Sequence, residues 1–252
     1  MQHPTDLSLF SKIALYDLQT YFGNSITDKI KSQQLKVNQS VQPSSCFGII
    51  YANEILLMDL SEQALANQQK KINHWFNEIG IVYEIQDCNI TFAKKGFSFL
   101  GFQLNVIEHG IHPSIKVKIE PSRFSQASFL TEIRYIIQSN KAASSYELIL
   151  ALRPKILHWG NYFKYFDYKP TFQKLTHLIF QKLRAWVFRR DTKNGRYYVK
   201  EKYFPSGKTY NFNGEIHHSN WVLVGYKKDA KNQVKQIYLP HMSWIKGPKI
   251  IH

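Results

Sequence analysis

LRPKILHWGNYFKYFDYKPTFQKLTHLIFQKLRAWVFRRDTKNGRYYVKEKYF, residues 152–204, alternates aromatic rings with cationic heads along most of its length. Within it Phe172, Leu175, Ile179, Leu183, Trp186 and Val187 recur at helical spacing, which predicts an amphipathic helix over 171–190 with these side chains on one apolar face. Lys174, His177, Gln181 and Arg184 fall on the other face, with Phe188 among them. A phosphate backbone beside an unstacked base suits both kinds of group, because cations neutralise phosphates while rings and guanidinium planes stack on bases. A basic helix face is more often simply a solvated face, and Trp186 at its spacing reads as core, so the helix alone does not decide the function.

The chain has 252 residues, 44% hydrophobic and 15% aromatic, enough for a substantial core and two compact units. No apolar run approaches the length of a membrane span, and MQHPTDLSLF lacks the charged start and apolar block of a secretion signal, so the expected location is the cytoplasm or the interior of a plastid or mitochondrion. Cys46 and Cys88 have no paired spacing, which supports neither a disulfide framework nor a zinc site. The net charge of +15 is unevenly distributed: residues 1–110 carry 8 Lys/Arg against 10 Asp/Glu, a net of −2; residues 111–200 carry 17 against 5, a net of +12; and residues 201–252 carry 8 against 3, a net of +5. Such concentration points to a polyanion as partner. An anionic membrane surface fits less well, because the rings are spread through core-like helices rather than set in one interfacial helix.

Taken in order, residues 7–22 have helical spacing and 28–45 read as a polar loop. Two short apolar runs, Phe47–Tyr51 and Ile55–Leu60, flank Ala52, Asn53 and Glu54 as a hairpin would. Ser61 is placed to cap a helix reaching Ile79, with Gly80 to end it. Strands are expected over Ile81–Ile85, Ile90–Ala93 and Gly96–Val106, and IKVKIE between Pro113 and Pro121 alternates as an exposed connecting strand. A helix follows Ser122; Ser144 and Glu147 have capping-box spacing for the next; Pro154 sits where a third would start. The tail from 196, with Ser206-Gly207, Asn213-Gly214 and Lys228-Asp229 turns, reads as short strands and loops.

Four places in this order resemble the group II intron maturases, the intron-encoded reverse transcriptases. QHPTDLSLFSKIALYDLQ at 2–19 is similar to the family's QGGVISPLLANIALHGLE; Phe47–Asp59 occupies the place of the YADD hairpin; KKGFSFLGF at 94–102 resembles GFDFLGF; and LRPKILHWGNYFKYF at 152–166 is similar to LNPIIRGWANYYR of the maturase-specific thumb, or domain X, continued by RAWVFRRDTK and KEKYF. Pro154, Ile156, Trp159, Asn161, Tyr162, Phe172, Leu175, Trp186 and Arg190 stand where the family has like residues, while Arg153 replaces its usual Asn.

The resemblance implies an α+β fold: a partial reverse-transcriptase palm, an antiparallel sheet with helices, over 1–110; a helical thumb bundle over 111–200; and over 201–252 a basic, β- and loop-rich tail similar to the start of the family's DNA-binding segment, with HMSWIKG at 241–247 in place of RHVKVKG. Polymerisation in the family needs carboxylates to clamp two Mg²⁺ ions. Here the turn is Tyr51-Ala52-Asn53-Glu54, in which Asn53 is neutral; Asp87 falls where the family has a Lys; and the fingers and the earlier palm strand have no counterpart. The expectation is therefore a chain with no catalytic residues, not an enzyme, that binds and stabilises intron RNA to assist splicing, without a cofactor of its own and with Mg²⁺ entering only through the RNA.

The expected RNA-binding residues are Arg153, Lys155, His158, Lys164, Lys174, His177, Lys182, Arg184, Phe188, Arg189, Arg190, Lys193 and Arg196. His217, His218, His241 and His252 lack carboxylate or cysteine partners at metal spacing and are read as surface or RNA-facing. Two other readings compete: a basic scaffold subunit of a larger ribonucleoprotein or protein complex, docked through the palm edge, and half of a split reverse transcriptase.

Overall fold

A computed structural model describes residues 47–51, 54–78, 80, 90–109 and 114–248. The expected helix at 7–22, the loop at 28–45, the strand at 81–85, and Cys46, Ala52, Asn53, Ile79, Asp87, Cys88 and His252 lie outside these. The described residues form a mixed α/β structure with five helices and small antiparallel sheets, and the chain divides into two compact units, Met1–Lys95 and Gly96–His252.

In the first unit, β1 (Phe47–Tyr51) pairs antiparallel with β2 (Glu54–Met58), Tyr51 opposite Glu54, as the two apolar runs predict. α1 (Glu62–Glu78) starts at Ser61, whose Oγ accepts from the Ala64 amide at 3.3 Å. It buries Ile72, Trp75 and Phe76 against Ile55 and Leu57. The strand expected over Ile90–Ala93 is absent: the Phe92 carbonyl accepts from the Lys95 amide at 2.9 Å and closes a 3-10 turn, Ala93–Lys95, leaving Ile90 and Phe92 exposed.

The second unit opens with β3 (Phe97–Phe99), β4 (Phe102–His109) and β5 (Ser114–Pro121) in one antiparallel sheet of that order. The single strand expected over Gly96–Val106 is thus a hairpin, turned by Leu100 and Gly101, both at positive φ (49° and 76°). Leucine pays for that conformation, so the turn is not legible from propensity. Its carbonyls are claimed from outside: Leu100 O accepts from the Tyr162 hydroxyl at 3.0 Å, and Gly101 O accepts from the Ser122 amide and the Ser125 hydroxyl, each at 2.9 Å. β5 is not a free connection but pairs with β4 along its whole length, from His109 opposite Ser114 to Phe102 opposite Pro121. Pairing therefore runs across the boundary expected at 110/111, and the compact units divide earlier.

Four helices follow: α2 (Arg123–Ser139), α3 (Ser145–Phe163), α4 (Lys169–Arg190) and α5 (Arg196–Tyr203). Ser122 caps α2, its Oγ accepting from the Ser125 amide at 3.1 Å, and Ser144 with Glu147 forms the predicted capping box on α3. Pro154 does not begin a helix but lies inside α3. An interior proline frees the carbonyl four residues back, here that of Leu150. Leu150 and Pro154 share the exposed side of α3, so water can satisfy that carbonyl.

α2, α3 and α4 bury Phe129, Ile133, Leu148, Leu152, Ile156, Phe172, Leu175 and Leu183 in one cluster, with the Trp159 ring among Phe129 (4.8 Å), Phe163 (4.3 Å) and Phe172 (5.9 Å). The tail folds as two hairpins, β6 (Thr209–Phe212) with β7 (Glu215–His218) and β8 (Val224–Lys228) with β9 (Val234–Tyr238), the first turned at Asn213-Gly214 as predicted. Phe204, Phe212, Leu223, Leu239, Met242 and Ile245 join the helices' cluster, while Tyr210, Val222 and Val224 form a small cluster of the tail's own with Tyr238 and Trp244 packed against it. Gly160 on α3 makes room for this: a Cβ there would stand 2.3 Å from Ile245 Cδ1.

Candidate nucleic-acid interface

α4 carries the sharpest separation of character. Thr171, Phe172, Leu175, Ile179, Leu183, Trp186 and Val187 are buried, while Lys174, His177, Gln181 and Arg184 are exposed along the opposite side. His177 and Gln181 share a hydrogen bond of 2.8 Å, and the Arg184 guanidinium lies 5.8 Å from the centre of the Phe188 ring. Phe188 itself is half-buried against the core, so it supports Arg184 more than it projects. On the flank facing α2, Lys182 is half-buried, and its ammonium is pushed below the usual lysine range by burial first and by the nearby Arg134 second. Arg189 is exposed.

The remaining sequence-derived candidates scatter. Arg190, next to Arg189, turns the other way: its guanidinium donates to the carbonyls of Lys141 (3.2 Å) and Ala143 in the α2–α3 connection and lies 5.2 Å from the Trp186 ring centre. Trp186 Nε1 donates to the Asn140 carbonyl at 3.2 Å, so both residues tie α4 to that connection. Arg153 lies 5.7 Å from the Tyr238 ring on β9. Lys155 is taken by Glu132 of α2 at 2.6 Å. Lys164 donates to Asn161 Oδ1 at 3.0 Å, while His158, Lys193 and Arg196 are exposed. The structure thus assembles Lys174, His177 and Arg184 on one helix face, sets Lys193 and Arg196 in the α4–α5 connection and at the start of α5, and uses Arg153, Lys155 and Arg190 as ties within the fold.

The residues shared with the motif behave likewise. Ile156, Phe172, Leu175 and Trp186 are core, Trp159 centres the ring cluster, and Tyr162 holds the β3–β4 turn. Tyr197, 80% exposed, and Tyr198, 58% exposed, are not among the sequence-derived candidates, although they stand beside Arg196 while Val199 and Tyr203 take the buried side of α5. That i, i+4 spacing of Val199 and Tyr203 is the signal that could have found them.

Each of the five acids in 111–200 is engaged locally. Glu120 pairs with Lys118 at 2.8 Å, Glu132 with Lys155, and Asp191 with Lys202 at 2.9 Å. Glu147 is held below the usual carboxylate range by its hydrogen bonds with Ser144, and Asp167 Oδ2 accepts from the Ile119 amide at 3.3 Å. Two of these acids thus neutralise cations of the same stretch, Lys118 and Lys155, and the net excess of +12 is carried by the remaining cations.

Among the described residues no helix is long and apolar enough to cross a membrane, and no group of three or more His, Cys, Asp or Glu is arranged to hold a metal ion. No curated protein matches the chain. Residues 126–204, from the first turn of α2 to the end of α5, match the model of the group II intron, maturase-specific domain, which implies a role in group II intron splicing and suggests intron RNA as a partner. This match, over 79 of the 252 residues, supports assigning the chain to the group II intron maturase family.

Proposed function

We propose that the chain binds and stabilises structured group II intron RNA to assist splicing, and does not polymerise nucleic acid. The observation that carries the reading is the excess of 17 cations over 5 acids in 111–200, with Lys174, His177 and Arg184 exposed along one side of α4. Phosphates bound there release counterions, so affinity falls steeply with salt. The contact surface is the outer side of α4 with Lys193 and Arg196 beyond it. The neutral Asn53 in the Tyr51–Glu54 turn supports the absence of polymerisation, because a two-metal site loses its charge there. The chain brings no cofactor, and Mg²⁺ acts within the RNA.

The test is a joint substitution of Lys174, His177, Arg184, Arg189 and Lys193 by Gln, which spares the tying residues Arg153, Lys155 and Arg190. Intron RNA binding should weaken strongly. The slope of log affinity against log salt should flatten by roughly 0.7–0.9 for each phosphate that the variant no longer neutralises. The circular dichroism spectrum should be unchanged, and splicing of a bound intron at limiting Mg²⁺ should fall in step. Unchanged affinity in a folded variant removes the proposal. A stable protein partner co-purified without RNA would replace it with the scaffold reading, and primer extension on adding an N-terminal half would replace it with the split enzyme.

A further inference from the structure

The β3–β4–β5 sheet has two unlike faces. Phe97, Phe99, Phe102 and Leu104 lie on one, with Phe102 against Phe163 at 4.7 Å and Phe166 at 5.4 Å. Ser98, Gln103 and Asn105 alternate onto the other, and they form the floor of an open groove of about 610 Å³. That volume is within the range of roughly 300–1,000 Å³ of small-molecule sites.

The floor is organised as a polar relay. Ser98 Oγ donates to Gln103 Oε1 at 2.8 Å, and Gln103 Nε2 donates to Asn105 Oδ1 at 3.4 Å, which leaves the Asn105 amide nitrogen as a donor at the end of the chain. At the side, Gln126 Nε2 donates to the Pro121 carbonyl at 2.8 Å, leaving its Oε1 as an acceptor. The rim holds two exposed cations, Arg123 and Lys174, and the Phe124 ring, 83% exposed. The one acid in the lining, Glu120, is paired with Lys118 and so repels an anion less.

A ring in water beside two cations, over a floor offering both a donor and an acceptor, matches a nucleotide in every part. The ring takes the base face, the amides take the base edge and the cations take the flanking phosphates. A base within a duplex is stacked and cannot reach the ring, so the ligand must be unpaired. An acidic peptide would use the cations but neither the ring nor the paired donor and acceptor. We infer that this groove on the polar face of the β3–β4–β5 sheet binds an unpaired nucleotide of a single-stranded RNA segment, with Phe124 as its stacking platform. The inference rests on the RNA reading above and assigns a separate surface to the unpaired part of the ligand.

Full-length protein and its Phe124→Ala and Phe124→Tyr variants are titrated with a labelled mixed-sequence 12-nucleotide single strand and with a blunt-ended, fully paired RNA duplex of equal charge. Because Phe124 is solvent-exposed, the substitution leaves the core intact. The single strand should bind about ten- to a hundredfold more weakly to Phe124→Ala, the effect of unstacking one base. Phe124→Tyr should restore it, and duplex binding should change less than twofold. A 4-thiouridine strand should crosslink to the β3–β5 and α2 peptides. Equal single-strand binding by wild type and Phe124→Ala, equal weakening on strand and duplex, or displacement of the strand by polyglutamate at matched charge with no effect of Phe124→Ala overturns the inference. The first of these leaves the RNA reading standing. Binding of neither RNA by the wild type removes both.

Discussion

Arg189 and Arg190 are adjacent in sequence and opposite in use. Both are exposed, but Arg190 donates to two carbonyls of the α2–α3 connection and lies over Trp186. Arg190→Gln should destabilise the fold by about 1 kcal/mol, because it removes a charge-assisted hydrogen bond to the α2–α3 connection and a cation–π contact, while water takes over the exposed carbonyls. Arg189→Gln should change stability by less than about 0.5 kcal/mol while weakening RNA binding. Urea denaturation of both, set against their RNA titrations, checks this; matching effects of the two would contradict the structural division between them.

His241 carries a pH dependence. Its Nε2 donates to the Trp221 carbonyl at 3.2 Å, yet burial outweighs that bond and, with His217 nearby, lowers its pKa from 6.5. The unfolded chain therefore takes up the proton more readily than the folded one, so stability is full above about pH 6.5 and declines as the pH drops below it. Thermal melts between pH 8 and pH 5 should show that decline, and His241→Gln should flatten it; an equal slope in the variant would assign the effect elsewhere.

Among elements, the β3–β4 turn is the joint between sheet and helices. Gly101 is at φ 76°, and a Cβ there would stand 2.8 Å from Ser125 Oγ, so Gly101→Ala meets both strain and a contact with the first turn of α2. A destabilisation of about 2 kcal/mol or more is expected, combining the left-handed backbone cost with displacement of the Ser125 hydrogen bond. Chemical denaturation would measure it, and a neutral result would mean that the turn shifts freely against α2. The helices are the easier elements to read. Ser122, Ser144 and Glu147 announce α2 and α3 through local hydrogen bonds, and the apolar spacing of 171–190 announces α4, because each signal depends on neighbours within four residues. Pro154 misleads for the same reason: a local rule places it at a helix start, while its tolerance inside α3 comes from the exposed side on which it falls.

For the molecule as a whole, the family match ends at Phe204 but the compact unit does not. Ile245, 2% exposed, fills the space that Gly160 leaves open on α3, and Phe204, Phe212, Leu223, Leu239 and Met242 share the helices' core. Ile245→Ala should cost about 2–5 kcal/mol, the range for emptying a buried aliphatic site, and should lower one cooperative transition of the bundle and the tail together. Two separate transitions, with the helices unaffected, would show the tail to be independent.

The sequence by itself determined the helical bundle, its caps, the Asn213-Gly214 hairpin and the concentration of positive charge in the second half. All of these follow from spacing, local hydrogen-bonding chemistry or composition. Only the tertiary structure decided which cations face outward and which are ties. Arg189 and Arg190 are the same side chain, both exposed, and differ only in that the α2–α3 connection offers Arg190 open carbonyls and Trp186 its ring. The same holds for the pleat that sets Ser98, Gln103 and Asn105 on one floor beneath Phe124. Their meeting depends on a leucine turning the chain at positive φ, a conformation stabilised by Tyr162 from another element 62 residues away.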